Sequence, residues 1–420
     1  MPPYLEIART LEAVRREERR DDKAEAVASL LKTLPPEMLR PTVRLLSGQL
    51  WPTWESREMG VGPEILGAAL EELSGQGRSP ETKHTDLGDL AEMMVLRRSQ
   101  QTLTTSTMDA LQVYDTLRQI SAQKGRGSLF RKKSLLKGLF LKASPIEAKY
   151  IARTVLGRMM VGLGPSLMSA AIGAAFSADE ALVKRAYALL PDFGMVALNA
   201  FRGEIFEVGL APPNPVRLMI VGQGMQASDA IKGTELAAYV VRYGGLRVQV
   251  HKFNDQVFIY SSHLRNVTTS LQDLAEVVEG AKGNFVLEGE FLLVHGGKIL
   301  PRSEMVGRIN LKSRPRDLSI PSFAASDLLY LNGEELVDKS YAERRRLLSR
   351  TLKGVAGKPL YAKVFLAEEL VSDDPEKAKE LLKRSLDQGF RGLVQRDLGG
   401  TYTPGSRSRW DVLISQMSDF

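Results

Sequence analysis

Ser144-Pro145-Ile146-Glu147-Ala148-Lys149-Tyr150-Ile151-Ala152-Arg153-Thr154-Val155-Leu156-Gly157 reads as a helix. From Ile146 to Leu156 its apolar residues recur at three- and four-residue spacing, the period that gives a helix one buried stripe. The same spacing runs through Ala24–Leu34, Met38–Leu46, Ile65–Leu73 and Leu111–Ile120. Pro35-Pro36, Pro41 and Gly125–Ser128 punctuate these runs. The first half, from Met1 to Val208, therefore reads as an all-α domain.

The pattern changes near Gly209. Ala211-Pro212-Pro213-Asn214-Pro215 has the composition of a linker. After it, Leu246–Lys252 alternates with the period of a half-buried strand, and Val257–Tyr260 and Phe285–Val294 also read as strands. Helical spacing returns at Ala342–Leu352 and Pro375–Gln388. The expectation is an α+β domain from Gly209 to Phe420.

Composition narrows the classes. The chain has 420 residues, a formal net charge of +7 and no cysteine. Absence of cysteine excludes disulfide frameworks and thiolate metal sites. The four histidines, His84, His251, His263 and His295, have no close ligand spacing. The N-terminus carries no secretory pattern, since Met1–Ile7 is followed shortly by the charged run Arg15–Asp22. Met159–Phe176 is free of charge, but its Gly164-Pro165-Ser166 step should break it into two short buried helices rather than a membrane span. A cytoplasmic, nucleoid-associated protein without a membrane partner is expected.

Lys124–Lys142 holds Lys124, Arg126, Arg131, Lys132, Lys133, Lys137 and Lys142 and no acidic residue. Gly125-Arg126-Gly127-Ser128 reads as a turn whose Ser128 caps the next helix, and a helix start suits a phosphate. A solvated helix face is the alternative reading of such a run.

Ser144–Gly157 closely resembles a segment of the helical DNA-binding domain of archaeal-type ATP-dependent DNA ligases. Leu50-Trp51-Pro52-Thr53-Trp54-Glu55 with Met59-Gly60-Val61-Gly62 looks like an earlier landmark of that domain. The resemblance implies a domain that lies along the minor groove and grips phosphates around a nick. It implies DNA-binding roles for Lys124, Arg126, Ser128, Arg131, Lys132, Lys133, Lys149 and Arg153. Met160 stands where the family usually has an arginine.

The second half resembles the nucleotidyltransferase domain of the same enzymes, an ATP-grasp-like adenylation fold. The family string Glu-x-Lys-Tyr-Asp-Gly-x-Arg corresponds to Val240-Val241-Arg242-Tyr243-Gly244-Gly245-Leu246-Arg247. The resemblance thus puts Arg242 at the lysine nucleophile, Gly244 at the aspartate and Val240 at the glutamate that reads adenine. Arg247 keeps the arginine. Leu287-Glu288-Gly289-Glu290 resembles Asp-Gly-Glu, and Glu290 keeps its acid. Ser326-Asp327-Leu328-Leu329-Tyr330-Leu331-Asn332-Gly333 puts Ser326 at the aromatic that stacks on adenine. Gly389-Phe390-Arg391-Gly392-Leu393-Val394-Gln395-Arg396 puts Arg391 at a metal-binding carboxylate and Arg396 at a lysine. Tyr402-Thr403-Pro404-Gly405-Ser406-Arg407 keeps the next landmark, including Arg407. Two triphosphate lysines expected after Trp410 are replaced within Asp411–Ile414.

Core and turn positions remain while polar catalytic positions change. An arginine stays protonated with its charge delocalised, so it can hold a phosphate but not readily attack one. Magnesium prefers oxygen ligands, which an arginine does not offer. The family's further OB-fold domain would have to follow Phe420. The expectation is a catalytically silent ligase homologue that binds duplex or nicked DNA in repair, replication or protection, with no cofactor. The alternative is an active ligase or nucleotidyltransferase with atypical motifs, completed by a partner and using ATP and magnesium. Gln100-Gln101-Thr102-Leu103 lies where relatives carry a sliding-clamp segment, but Leu103 and Thr104 replace its aromatics.

Overall fold

The computed structural model describes residues 2–74, 86–97, 108–225, 236–311 and 319–414. The chain divides into two compact units, Met1–Tyr187 with Asp192–Val208, and Ala188–Pro191 with Gly209–Phe420. The clamp-like segment Gln100–Thr104 lies outside the described residues.

The first unit is helical. Its described helices are α1 (Tyr4–Arg16), α2 (Arg20–Lys32), α3 (Pro36–Ser47), α4 (Pro63–Ser74), α5 (Leu87–Leu96), α6 (Ala110–Ala122), α7 (Ser128–Lys142), α8 (Pro145–Leu156), α9 (Pro165–Phe176), α10 (Glu180–Leu189, whose end belongs to the second unit) and α11 (Phe193–Arg202). The helix expected from Ser144–Gly157 is α8. Pro145 opens it, where its missing N–H is no loss. The Glu147 carboxylate accepts from the Ser144 N–H at 2.8 Å and its hydroxyl at 2.7 Å. Gly157, at φ 65°, ends it, and Arg158 N–H returns to Arg153 O at 2.9 Å.

α8 is buried nearly all round, including the charges of Lys149 and Arg153. A buried charge needs a partner. Lys149 Nζ lies 3.4 Å from Glu12, 3.1 Å from Asp89 and 3.1 Å from Glu92. Arg153 Nη2 lies 3.1 Å from Asp86 and 3.3 Å from Asp89. These ion pairs fasten α8 to α1 and to the start of α5.

Met159–Phe176 contains one helix, α9, rather than two. Gly157–Gly164 is non-helical because Met160 and Gly162 take left-handed backbone at φ 55° and 74°, and the helix starts only at Pro165. Among the described residues, no helix is long and apolar enough to cross a membrane.

The second unit is α+β. One sheet has the order β1 (Ile220–Met225), β12 (Arg407–Ile414), β11 (Gly392–Asp397), β2 (Ala237–Arg242), β10 (Glu369–Ser372). The other runs β4 (Gln256–Ser261), β3 (Leu246–Phe253), β5 (Phe285–His295), β7 (Ile320–Leu331), β8 (Glu334–Glu335). Off this path, β6 (Lys298–Ile299) pairs with β5 and β9 (Val364–Leu366) with β7. The described helices here are α12 (Gln272–Val278), α13 (Arg302–Ile309), α14 (Tyr341–Thr351) and α15 (Pro375–Asp387).

The alternation of Leu246–Lys252 promised one wet face, yet Gln249 and His251 are fully buried. Gln249 is satisfied there: its amide accepts from Val216 N–H at 2.9 Å and donates to Val216 O at 2.8 Å. The polar half of the pattern marks an internal hydrogen-bonded layer rather than a surface. β7 bulges against β5 at Ser326, the extra residue between Asp327 opposite Glu288 and Ala325 opposite Gly289. A Cβ on Gly289 would sit 2.2 Å from Ala324 O, so glycine is needed for close backbone approach.

Candidate functional site

β5 sends Glu288 and Glu290 to one face, because residues two apart on a strand share a side. Register sets Arg247 of β3 opposite Glu290, and Ala324 and Asp327 of β7 opposite Glu290 and Glu288. β2 and β11 of the other sheet supply Val240, Arg242, Val394 and Arg396. A cavity of about 20 Å³ lies among these strands, lined by Val240, Arg242, Arg247, Glu288, Glu290 and Ser326 with six further residues, Arg396 among them. That is room for about one water.

The polar atoms around it satisfy each other. Arg242 Nη1 donates to Glu290 Oε1 at 3.0 Å, and Glu290 Oε2 accepts from Gly245 N–H at 2.6 Å. Arg247 donates to Glu288 and to Met219 O, the latter at 2.7 Å, while Tyr402 donates its hydroxyl to Glu288. Ser326 Oγ lies 3.3 Å from Glu288 O. Burial lowers the pKa of Arg242, and Arg247 and Arg391 lower it further against the pull of Glu290 and Glu288. For Arg247, burial is outweighed by Glu288 and Tyr402, and its pKa is raised. A guanidinium delocalises its charge and is not deprotonated in proteins, so both are cations.

Deeper, Asp327 is fully buried and accepts from Arg344 Nε at 2.8 Å, Arg344 Nη2 at 3.1 Å and Arg396 Nη1 at 2.8 Å. Arg396 thus lines the cavity but is held from behind. Burial would raise the Asp327 pKa; Arg344 and Arg396 hold it below the usual carboxylate value.

Not every site residue read from the sequence meets at this cavity. Gly244 and Arg391 face a separate open groove of about 820 Å³, with Lys298, Arg302, Tyr361 and Phe390 on its walls. Arg391 N–H donates to Arg242 O at 2.8 Å, so the groove adjoins the cavity. Gly244 has φ 87°, a backbone that an aspartate adopts only with strain. Arg407 is exposed at the start of β12, paired across the sheet with Ile220, and does not line the cavity. Glu288, Asp327 and Tyr402 lie within the family-like strings without a role read for them, and Arg344 lies in none. Period-two spacing from Glu290 was the signal available for Glu288.

In the helical unit, the basic residues have different surroundings. Lys149 and Arg153 are inside the α8 ion pairs. Lys132 is buried and donates to Met59 O at 2.7 Å and Gly60 O at 3.2 Å, and burial lowers its pKa. It anchors the Trp51–Gly62 segment to α7. Arg131 donates to Gln123 Oε1 at 2.8 Å, Lys124 O at 3.0 Å and Arg126 O at 3.1 Å, tying the turn before α7. Lys133 pairs with Glu72 of α4. Lys124 and Arg126 are exposed. Ser128 is the first helical residue rather than the cap. The cap position is Gly127 at φ 74°, which has no side chain to accept, and Ser128 N–H bonds Gly125 O at 3.1 Å.

The family model described as DNA ligase N terminus matches residues 3–173, and that described as ATP dependent DNA ligase domain matches residues 219–411. A DNA ligase of Thermococcus fumicolans is 34% identical over 433 residues, covering 99% of this chain and 76% of the relative. The chain belongs to the archaeal-type ATP-dependent DNA ligase family. A DNA ligase of Thermococcus onnurineus is 35% identical, covering 94% of this chain and 72% of that protein. The solved structure Pmar-Lig_PreS3 shares the fold at a TM-score of 0.56 and 11% identity, over 98% of this chain and 78% of that one.

Proposed function

We propose that this ligase-family chain binds duplex or nicked DNA and does not adenylate itself at position 242. The observation that carries the reading is Arg242, paired with Glu290 beside a cavity of about 20 Å³. Pockets for small molecules and cofactors are usually roughly 300–1,000 Å³. Both Glu290 oxygens are engaged by Arg242 and Gly245 N–H, and Glu288 is engaged by Arg247 and Tyr402. Val240 has no side-chain acceptor for an adenine amino group, and Ser326 no ring to stack on it. The residues lining this cavity do not fit ATP with magnesium. The DNA contact is assigned to the helical unit, with Lys124 and Arg126 among its exposed cations. Repair, replication or protection of DNA, and association with the nucleoid, are the roles in keeping with such a binder.

The second reading is an active ligase with atypical motifs, completed by a partner. It is favoured by the relatives, which are named DNA ligase. Incubation with α-labelled ATP and magnesium or manganese, with and without nicked duplex, separates the two. No protein-bound label is expected after denaturing electrophoresis; a stoichiometric acid-labile adduct establishes the second reading.

A further inference from the structure

Leu129 and Phe130 are 58% and 72% exposed in the first turn of α7. Leaving large apolar side chains in water forgoes the burial that stabilises a fold. They do not sit on a loose loop. Gly125 and Gly127, at φ 75° and 74°, turn the chain just before them, and Arg131 ties the carbonyls of that turn. The pair therefore projects from a fixed base.

Its surroundings are mainly basic. Lys124 and Arg126 are exposed in the turn, and no acidic residue occurs from Lys124 to Lys142. Lys133 and Lys137, three and seven residues after Phe130, share its helix face. Glu72 is the carboxylate that pairs with both. A cationic rim around an apolar tip suits a polyanion with an apolar interior. Duplex DNA offers this in the minor groove, where phosphates flank base steps that Phe and Leu can wedge apart.

We propose that Leu129 and Phe130 form an apolar wedge that enters the minor groove of duplex DNA and unstacks one base step, while Lys124 and Arg126 hold the flanking phosphates. The inference rests on the DNA-binding reading above and makes it specific: binding distorts the duplex. A nick or a flexible pyrimidine–purine step lowers the cost of unstacking, so such sites are favoured over stiff A-tracts.

The test uses the full chain and duplexes carrying 2-aminopurine at successive positions, with affinity from anisotropy across a salt series. The intact chain should raise 2-aminopurine fluorescence at one step. Leu129→Ala/Phe130→Ala should abolish that rise and weaken binding about tenfold, with Phe130→Leu recovering part of both. Lys124→Glu/Arg126→Glu should weaken binding to all sequences and flatten the salt slope. If the double alanine variant binds like the parent while the charge reversal does not, the wedge is refuted and DNA binding by this face stands. If the alanine variant instead abolishes self-association and leaves DNA affinity unchanged, the pair joins two copies and the wedge is again refuted. If the intact chain binds no duplex at low salt, the underlying DNA reading falls as well.

Discussion

Replacing Asp327 by alanine should cost the second unit about 4 kcal/mol. The side chain is fully buried and accepts from Leu328 N–H, Arg344 and Arg396. Arg344 and Arg396 are themselves only 1% and 5% exposed. Removing one partner of a buried charge pair typically costs about 3–5 kcal/mol, because the remaining charge is left without compensation. Arg344 keeps acceptors at Lys339 O and Gly400 O, which argues against exceeding that range despite two stranded guanidinium groups. For a unit of this size, roughly 2–4 °C accompanies each kcal/mol, so about 4 kcal/mol lowers the melting transition by roughly 8–16 °C. Calorimetry of the full chain reads this directly. Asp327→Leu combined with Arg344→Met should recover part of the loss, since an apolar pair needs no compensation. Arg242→Ala strands the buried Glu290 in the same way and should also lower the transition, though by less, since the Arg242 side chain is 22% exposed. An Asp327→Ala transition within about 1 kcal/mol of the parent would show that the network does not hold the fold, and that this aspartate has some other use.

Arg242→Lys should not restore nick sealing, because Arg391 still stands where the family has a carboxylate and Gly244 where it has an aspartate; sealing by this single variant would refute the account of the pocket. His251 is fully buried, its Nε2 2.9 Å from Gln249 Oε1 and its Nδ1 without a partner among the described residues, and burial pushes its pKa down to about 3. The unfolded chain, near pKa 6.5, binds the proton first. The His251 contribution is therefore complete above about pH 6.5 and is lost toward pH 3, at up to about 1.4 kcal/mol per pH unit. His251→Gln should flatten that slope in urea titrations between pH 4 and 7, and an unchanged slope refutes the assignment. Arg131→Ala should loosen the turn Lys124–Gly127 and weaken duplex binding a few-fold with little change in salt slope, since its donors serve carbonyls; loss of about one unit of slope would mean that it contacts a phosphate.

Most of the secondary structure was legible because periodicity reports burial directly. Ile146–Leu156 became α8, and Phe285–Val294 became β5 nearly to the residue. What misled was polarity at buried positions. Lys149 and Arg153 lie in a segment that resembles a DNA-binding domain, and from sequence they read as cations for phosphate. Their partners, Glu12, Asp86, Asp89 and Glu92, lie far away in the chain, and no local pattern announces such a pairing. The same blindness affected β3, where Gln249 and His251 mimic a wet face. Ser128 failed for a local reason: Gly127 took the left-handed cap position one residue earlier. The candidate pocket was legible as a set of positions but not as a volume, because its closure depends on Arg242 finding Glu290 across two sheets.

That closure links the substitutions to each other. Glu290 is 4% exposed and Glu288 3%, so each needs polar or cationic partners there. Arg242 keeps a positive charge beside Glu290 while removing an amine that could attack. One guanidinium nitrogen reaches Glu290 Oε1 at 3.0 Å, while Gly245 N–H takes the other oxygen. An uncharged residue at 242 would leave Glu290 with only Gly245 N–H from this set, which is why a change there that removes reactivity while sparing the fold should keep the charge. The pocket's acids can therefore persist for packing after losing any part in chemistry. Their presence alone is weak support for an active site, and the identity of residue 242 is the stronger discriminator.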